Sequence, residues 1–70
     1  MKYSYYEFEL IDQMYDEQFR YEDIAEACNR TFHEGKKVRT IQSISYAVKR
    51  IFEDDNVLDF DYWDERGLIE

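Results

Sequence analysis

The sequence predicts an all-α protein: a three-helix bundle with a short acidic-aromatic C-terminal strand or extended arm. Three observations carry this. Apolar residues recur at three- and four-residue spacing in three separate stretches, 10–14, 24–32 and 41–52, which is the period of a helix with one buried face. Ser4 and Thr40 stand at the heads of the first and third stretches, where a helix needs a side-chain acceptor for its unpaired amides. The chain has 70 residues, two glycines and no proline, enough for one domain, 1–70, and with few breaks.

Helix 1 is expected over about 5–17. Ser4-Tyr5-Tyr6-Glu7 has the form of a capping box, with the serine oxygen taking an amide of the first turn and the glutamate returning to the cap amide. Leu10, Ile11 and Met14 follow at helical spacing. Helix 2 is expected over about 22–33, because Ile24, Ala27, Cys28, Thr31 and Phe32 form one face. Glu34-Gly35-Lys36-Lys37 breaks the chain, with Gly35 placed for a C-terminal cap. Helix 3 is expected over about 40–52, with Ile41, Ile44, Val48, Ile51 and Phe52 on one side and Gln42, Ser43, Tyr46, Lys49 and Arg50 on the other. The expected core is Leu10, Ile11, Met14, Ile24, Cys28, Phe32, Ile41, Ile44, Val48 and Ile51. Beyond it, 57–63 alternates, with Leu58, Phe60 and Tyr62 facing one way and Asp59, Asp61 and Trp63 the other. That pattern reads as a strand or extended arm lying against the body.

These segments resemble a known family. Tyr3-Ser4-x-x-Glu7-x-x-x-Ile11-x-x-Met14-Tyr15 is similar to the first helix of Myb/SANT-like, homeodomain-like helix-turn-helix domains. Asp23-Ile24-Ala25-Glu26-Ala27-Cys28-Asn29 is similar to their second helix, and Arg39-Thr40-x-x-Ser43-Ile44-x-x-x-Val48-Lys49-Arg50 to the entry into their recognition helix. The resemblance covers about residues 3–52 and implies DNA as the ligand. A tiny, acidic, aromatic-rich chain also resembles the small early proteins of bacteriophages, which would place it in a host cytoplasm.

Charge is segregated. Residues 1–26 hold two bases and eight acids, 27–52 six bases and one acid, and 53–70 one base and eight acids. The segments carry −6, +5 and −7, and the chain −8. A basic centre between acidic flanks bears on partners, not on fold. The first expectation is a regulatory DNA-binding protein that lays helix 3 in the major groove. Lys36, Lys37 and Arg39 would hold phosphates, Gln42 and Ser43 would reach base edges, and Tyr46, Lys49 and Arg50 would follow one to two turns on. The alternative is an acidic, DNA-mimic-like adaptor or inhibitor. Its Asp59, Phe60, Asp61, Tyr62 and Trp63 would occupy a basic surface of a host nucleic-acid enzyme such as a polymerase or nuclease. A homodimer is open under both.

No enzyme is expected. His33 is the single histidine and Cys28 the single cysteine, so there is no histidine metal cluster, no internal disulfide and no nucleophile with a base beside it. His33 is expected to serve as a charge partner for the end of helix 2. Two glycines form no phosphate loop, and no cofactor or metal is expected. No apolar run approaches about 18 residues and no leader pattern is present, so the expectation is a cytoplasmic protein without membrane contact.

Overall fold

Ser4 starts the first helix as expected, its hydroxyl accepting the Glu7 amide at 3.2 Å. In the computed structural model, which describes residues 2–69, α1 spans Tyr5–Asp16, α2 Tyr21–Phe32 and α3 Ile41–Glu53. A 3-10 turn, Asp55–Leu58, leads into a short α4, Phe60–Glu65. Thr40 and Ser43 close a reciprocal capping box on α3: the Thr40 side chain accepts the Ser43 amide at 3.3 Å and Ser43 Oγ accepts the Thr40 amide at 2.7 Å. The break between α2 and α3 lies at Glu34 and Gly35, both left-handed at φ 56° and 81°. The Gly35 amide returns to the Asn29 carbonyl at 2.8 Å, which closes the end of α2.

The three long helices each pack on the other two, around Phe8, Ile11, Ile24, Ala25, Cys28, Ile44, Ala47 and Val48. Leu10, Met14 and Ile51 are partly buried against this cluster. Phe32, half-buried, stands outside the cluster, and Ile41 departs from the expected core and is 54% exposed. It is the first residue of α3, and helical side chains lean toward the N-terminus, so Ile41 reaches past the end of the core. Ile44 is fully buried. Ile44→Ala is therefore expected to cost about 2–5 kcal/mol, read as a lower urea midpoint at constant m-value.

The C-terminal strand or arm is not formed; among the described residues there is no strand at all. The segment does pack on the body, but as 3-10 turn and helix, and its aspartates explain why. Asp54 accepts the Asn56 amide at 3.0 Å, and Asp59 accepts the amides of Asp61 and Tyr62 at 3.1 and 3.5 Å. Asp54 and Asp59 are therefore caps that start turns, not members of a polar strand face. The turned backbone puts Val57 into the core at 2% exposure. Trp63, expected on the side away from the body, lies against Phe8 and Tyr5 with ring centroids 6.2 and 6.3 Å away. Its indole N–H donates to the Val57 carbonyl at 2.9 Å.

Candidate functional site

Glu7 is the first residue to explain, because a carboxylate at 1% exposure is rare and must be paired. Its backbone takes the Ser4 cap, but its side chain does not return to the cap amide. It turns inward to Arg39, which donates Nε to Oε2 at 2.6 Å and Nη2 to Oε1 at 2.8 Å. This is the bidentate fork that makes arginine–carboxylate pairs strong and directional. The Arg39 guanidinium also stacks 3.7 Å from the centre of the Tyr3 ring and donates to the Lys2 carbonyl at 3.1 Å. Hydrogen bonding to Glu7 holds Arg39 above the ordinary arginine pKa. His33, the C-terminal cap residue of α2, places Nε2 3.0 Å from Glu7 Oε2. A carboxylate oxygen only accepts, so Nε2 carries the proton.

This cluster joins α1, the end of α2, the loop before α3 and the N-terminal segment. A second tie reinforces it. Asn29 Oδ1 accepts the amides of Val38 and Arg39 at 3.1 and 2.7 Å, and Asn29 Nδ2 donates to the Arg39 carbonyl at 3.0 Å. Tyr3 donates its hydroxyl proton to the Ser43 carbonyl at 2.6 Å. The chain entering α3 is thus fixed on both sides, which sets where α3 starts and which face it turns outward. Arg39, expected to hold phosphate, is 5% exposed and committed to this lock. His33 ends α2 as expected, but its ring meets Glu7.

The outward face of α3 presents Ile41, Gln42, Ser45, Tyr46, Lys49 and Phe52, all exposed. Ser45 is an addition to the expected set. Ser43 drops out of it, because its Oγ accepts from the Thr40 amide and donates to the Thr40 carbonyl at 2.9 Å. Arg50 is half-buried; it donates Nη1 to the Tyr46 hydroxyl at 3.0 Å and its Nη2 lies 3.5 Å from Asp54. Tyr46 thereby keeps its own hydroxyl proton for another acceptor. Lys36 and Lys37 stand exposed on the loop before α3, and these two and Lys49 have no ion-pair partner among the described residues. A shallow groove of roughly 560 Å³ runs between α2 and the start of α3, with Ala25, Asn29, Lys37 and Ile41 along it and Glu22 and Glu26 on its α2 wall.

The tail residues divide. Asp59 caps α4 and Trp63 anchors it, so both serve the fold; Phe60 and Asp61 are exposed and Tyr62 is half-buried. Tyr62 lies under Arg66, whose guanidinium is 3.8 Å from the ring centre. Cys28 is fully buried, and burial pushes its thiol up to about 12. In an unfolded chain the thiol ionises near 8.5, so between that pH and about 12 the unfolded state alone loses its proton. Stability is therefore expected to fall as pH rises through this window, and alkylation of Cys28 at pH 8 should proceed only through unfolding. Labelling of the native protein as fast as that of the urea-unfolded chain would show the thiol exposed.

Among the described residues no group of three His, Cys, Asp or Glu side chains could hold a metal ion, and no helix is long and apolar enough to cross a membrane. Comparison with known proteins finds no matching family model, no matching curated protein and no matching solved structure.

Proposed function

We infer that the protein is a small helix-turn-helix DNA-binding regulator, with α2 and α3 as the motif and α3 in the major groove. The observation that carries this reading is the outward face of α3. It sets Gln42, Ser45 and Tyr46 beside Lys49, with Lys36 and Lys37 at its N-terminal end, and a carboxylate pairs none of the three lysines. An amide, hydroxyls and ammonium groups on one exposed helix suit base edges and phosphates together. Gln42 is placed to pair with an adenine edge, and exposed Ile41 to meet a thymine methyl. Arg39 acts at one remove, by fixing the entry to α3.

The charge sets the character of binding. Three lysines on phosphate give a salt slope of about −2.7 on B-DNA, roughly 0.9 per contact. The acids elsewhere weaken every non-specific complex. Binding is thus expected to be modest in affinity and strongly dependent on sequence. The test is enrichment of binding duplexes from a random pool, then mobility shift across a salt series. Gln42→Ala is expected to relax sequence preference. Lys37→Ala should weaken all sequences alike and lower the salt slope by about one. Equal, sequence-independent losses in both variants would reduce Gln42 to a backbone contact, and no retarded complex at low salt would end the reading.

The adaptor reading is supported by a different observation: α4 exposes Phe60 and Asp61 on a protein of net charge −8. In that reading the tail sits on a basic surface of a nucleic-acid enzyme. Phe60→Ser would then abolish partner capture and leave no DNA complex to be seen, whereas in the DNA reading it leaves the mobility shift unchanged.

A further inference from the structure

One end of the molecule carries an apolar surface that the core does not use, and it takes in Phe52 at the C-terminal end of the outward face of α3, beyond Gln42 and Tyr46. Tyr15 near the end of α1, Phe19 in the turn to α2 and Phe52 near the end of α3 are 37%, 46% and 68% exposed. The Tyr15 and Phe52 rings meet edge-on at 5.6 Å, and Tyr15 shares a shallow cleft with Asp16, Gln18 and Phe19. Three separate segments supply these rings, so tertiary structure assembles the patch. The turn that presents Phe19 is well defined. Gln18 is left-handed at φ 66°, uncommon for a residue with a Cβ, and the Phe19 amide returns to the Met14 carbonyl at 3.0 Å.

The rim of the patch is acidic. Asp12 and Asp16 lie on the last turns of α1, Glu17 is its C-terminal cap residue and Glu53 adjoins Phe52; none has an ion-pair partner among the described residues. Nearby cations are mostly taken: Arg20 pairs with Glu22 at 2.7 Å and Asp23 at 3.5 Å, and Arg50 with Asp54 at 3.5 Å. Lys49, about one turn before Phe52 on α3, has no ion-pair partner among the described residues. A second copy of the chain would set these acids against each other, and a phosphate backbone would be repelled. A protein surface with apolar anchors framed by lysine or arginine meets both the rings and the rim.

We propose that Tyr15, Phe19 and Phe52 form a docking site for a basic, amphipathic segment of another protein. An apolar side chain of the partner lies across the Tyr15–Phe52 pair beside Phe19, and its flanking bases meet Asp16, Glu17 and Glu53. Gln42 and Phe52 are about 15 Å apart along α3 at 1.5 Å per residue, so this site and the face read by Gln42 are separable by mutation. The proposal does not rest on DNA binding.

The test uses the full chain, isotope-labelled, titrated with a synthetic amphipathic Leu/Lys helix peptide and with its Leu/Glu counterpart. The Leu/Lys peptide is expected to give saturable shifts centred on Tyr15, Phe19 and Phe52. Phe52→Ser and Phe19→Ser should each weaken it at least about tenfold, the loss of one anchor; the melting curve should change little for Phe52→Ser, whose side chain is mostly exposed, and more for Phe19→Ser, about half covered. The Leu/Glu peptide should not bind. The proposal is overturned by absent or scattered shifts, by equal binding of the two peptides, or by binding that survives Phe52→Ser. Sedimentation equilibrium without peptide is expected to give a monomer; a dimer dissolved by Phe52→Ser would assign the face to a second copy instead.

Discussion

Arg39→Ala is expected to unfold most of the protein at 25 °C. Removing one partner of a buried ion pair costs about 3–5 kcal/mol, because the other charge stays buried without its counterpart. A core of this size supplies about the same amount in total. Here the stranded group is Glu7, at 1% exposure, left with His33 Nε2 3.0 Å away and a hydrogen bond from the buried Cys28 thiol. The substitution also takes the stacked guanidinium from Tyr3 and the donor from the Lys2 carbonyl. Arg39→Lys keeps a charge but cannot reproduce the two-pronged contact, so an intermediate loss is expected. Glu7→Leu with Arg39→Met should recover much of it, since apolar replacement of a whole buried pair is often close to neutral. Urea unfolding followed by circular dichroism reads all three. A wild-type midpoint for Arg39→Ala would show that the lock contributes nothing. Normal stability with lost DNA retardation would return Arg39 to the contact surface.

Periodicity carried the sequence reading of the helices, and it is strong where apolar residues meet at three- and four-residue spacing, as with Ile24 and Cys28 or Ile44 and Val48. It misjudged Ile41, where the pattern is regular but the helix has only begun. Glu7 was legible in principle. It lies four residues before Ile11 and seven before Met14, on the same face, and a carboxylate there signals a buried partner. The capping-box pattern gave its side chain a local role that the tertiary pair with Arg39 displaced. The same local-versus-tertiary conflict hid the double use of Asn29, whose contacts lie about ten residues downstream. In the tail, alternation of apolar and acidic residues suggested a strand. Alternation over so few residues is weak evidence, and aspartates that cap turns generate it equally well. Of the basic centre, sequence counted six cations as one group; side-chain pairing leaves Lys36, Lys37 and Lys49 without an ion-pair partner among the described residues.

Removing residues 54–70 is expected to unfold the three-helix body rather than uncover its basic face. The segment supplies Val57, at 2% exposure within the core cluster, and burying such a side chain stabilises by about 1.5–3 kcal/mol. It also supplies Trp63, whose ring contacts with Phe8 and Tyr5 add about 0.5–1.5 kcal/mol per pair beyond area alone. Together these approach the roughly 3–5 kcal/mol available to the domain, so the truncated chain keeps little margin. Phe8 and Ile44, shielded in the intact protein, lose the cluster's Val57 at the same time. Trp63 is the single tryptophan, and its fluorescence reports docking of this segment directly. In urea, Trp63 emission and far-ultraviolet circular dichroism are expected to change together in one transition, the signature of a single cooperative unit. Trp63→Ala should move that circular dichroism transition to lower urea. If Trp63 emission changes well before helicity is lost, the segment undocks on its own, the truncated protein remains folded, and the C-terminal region is a detachable arm after all.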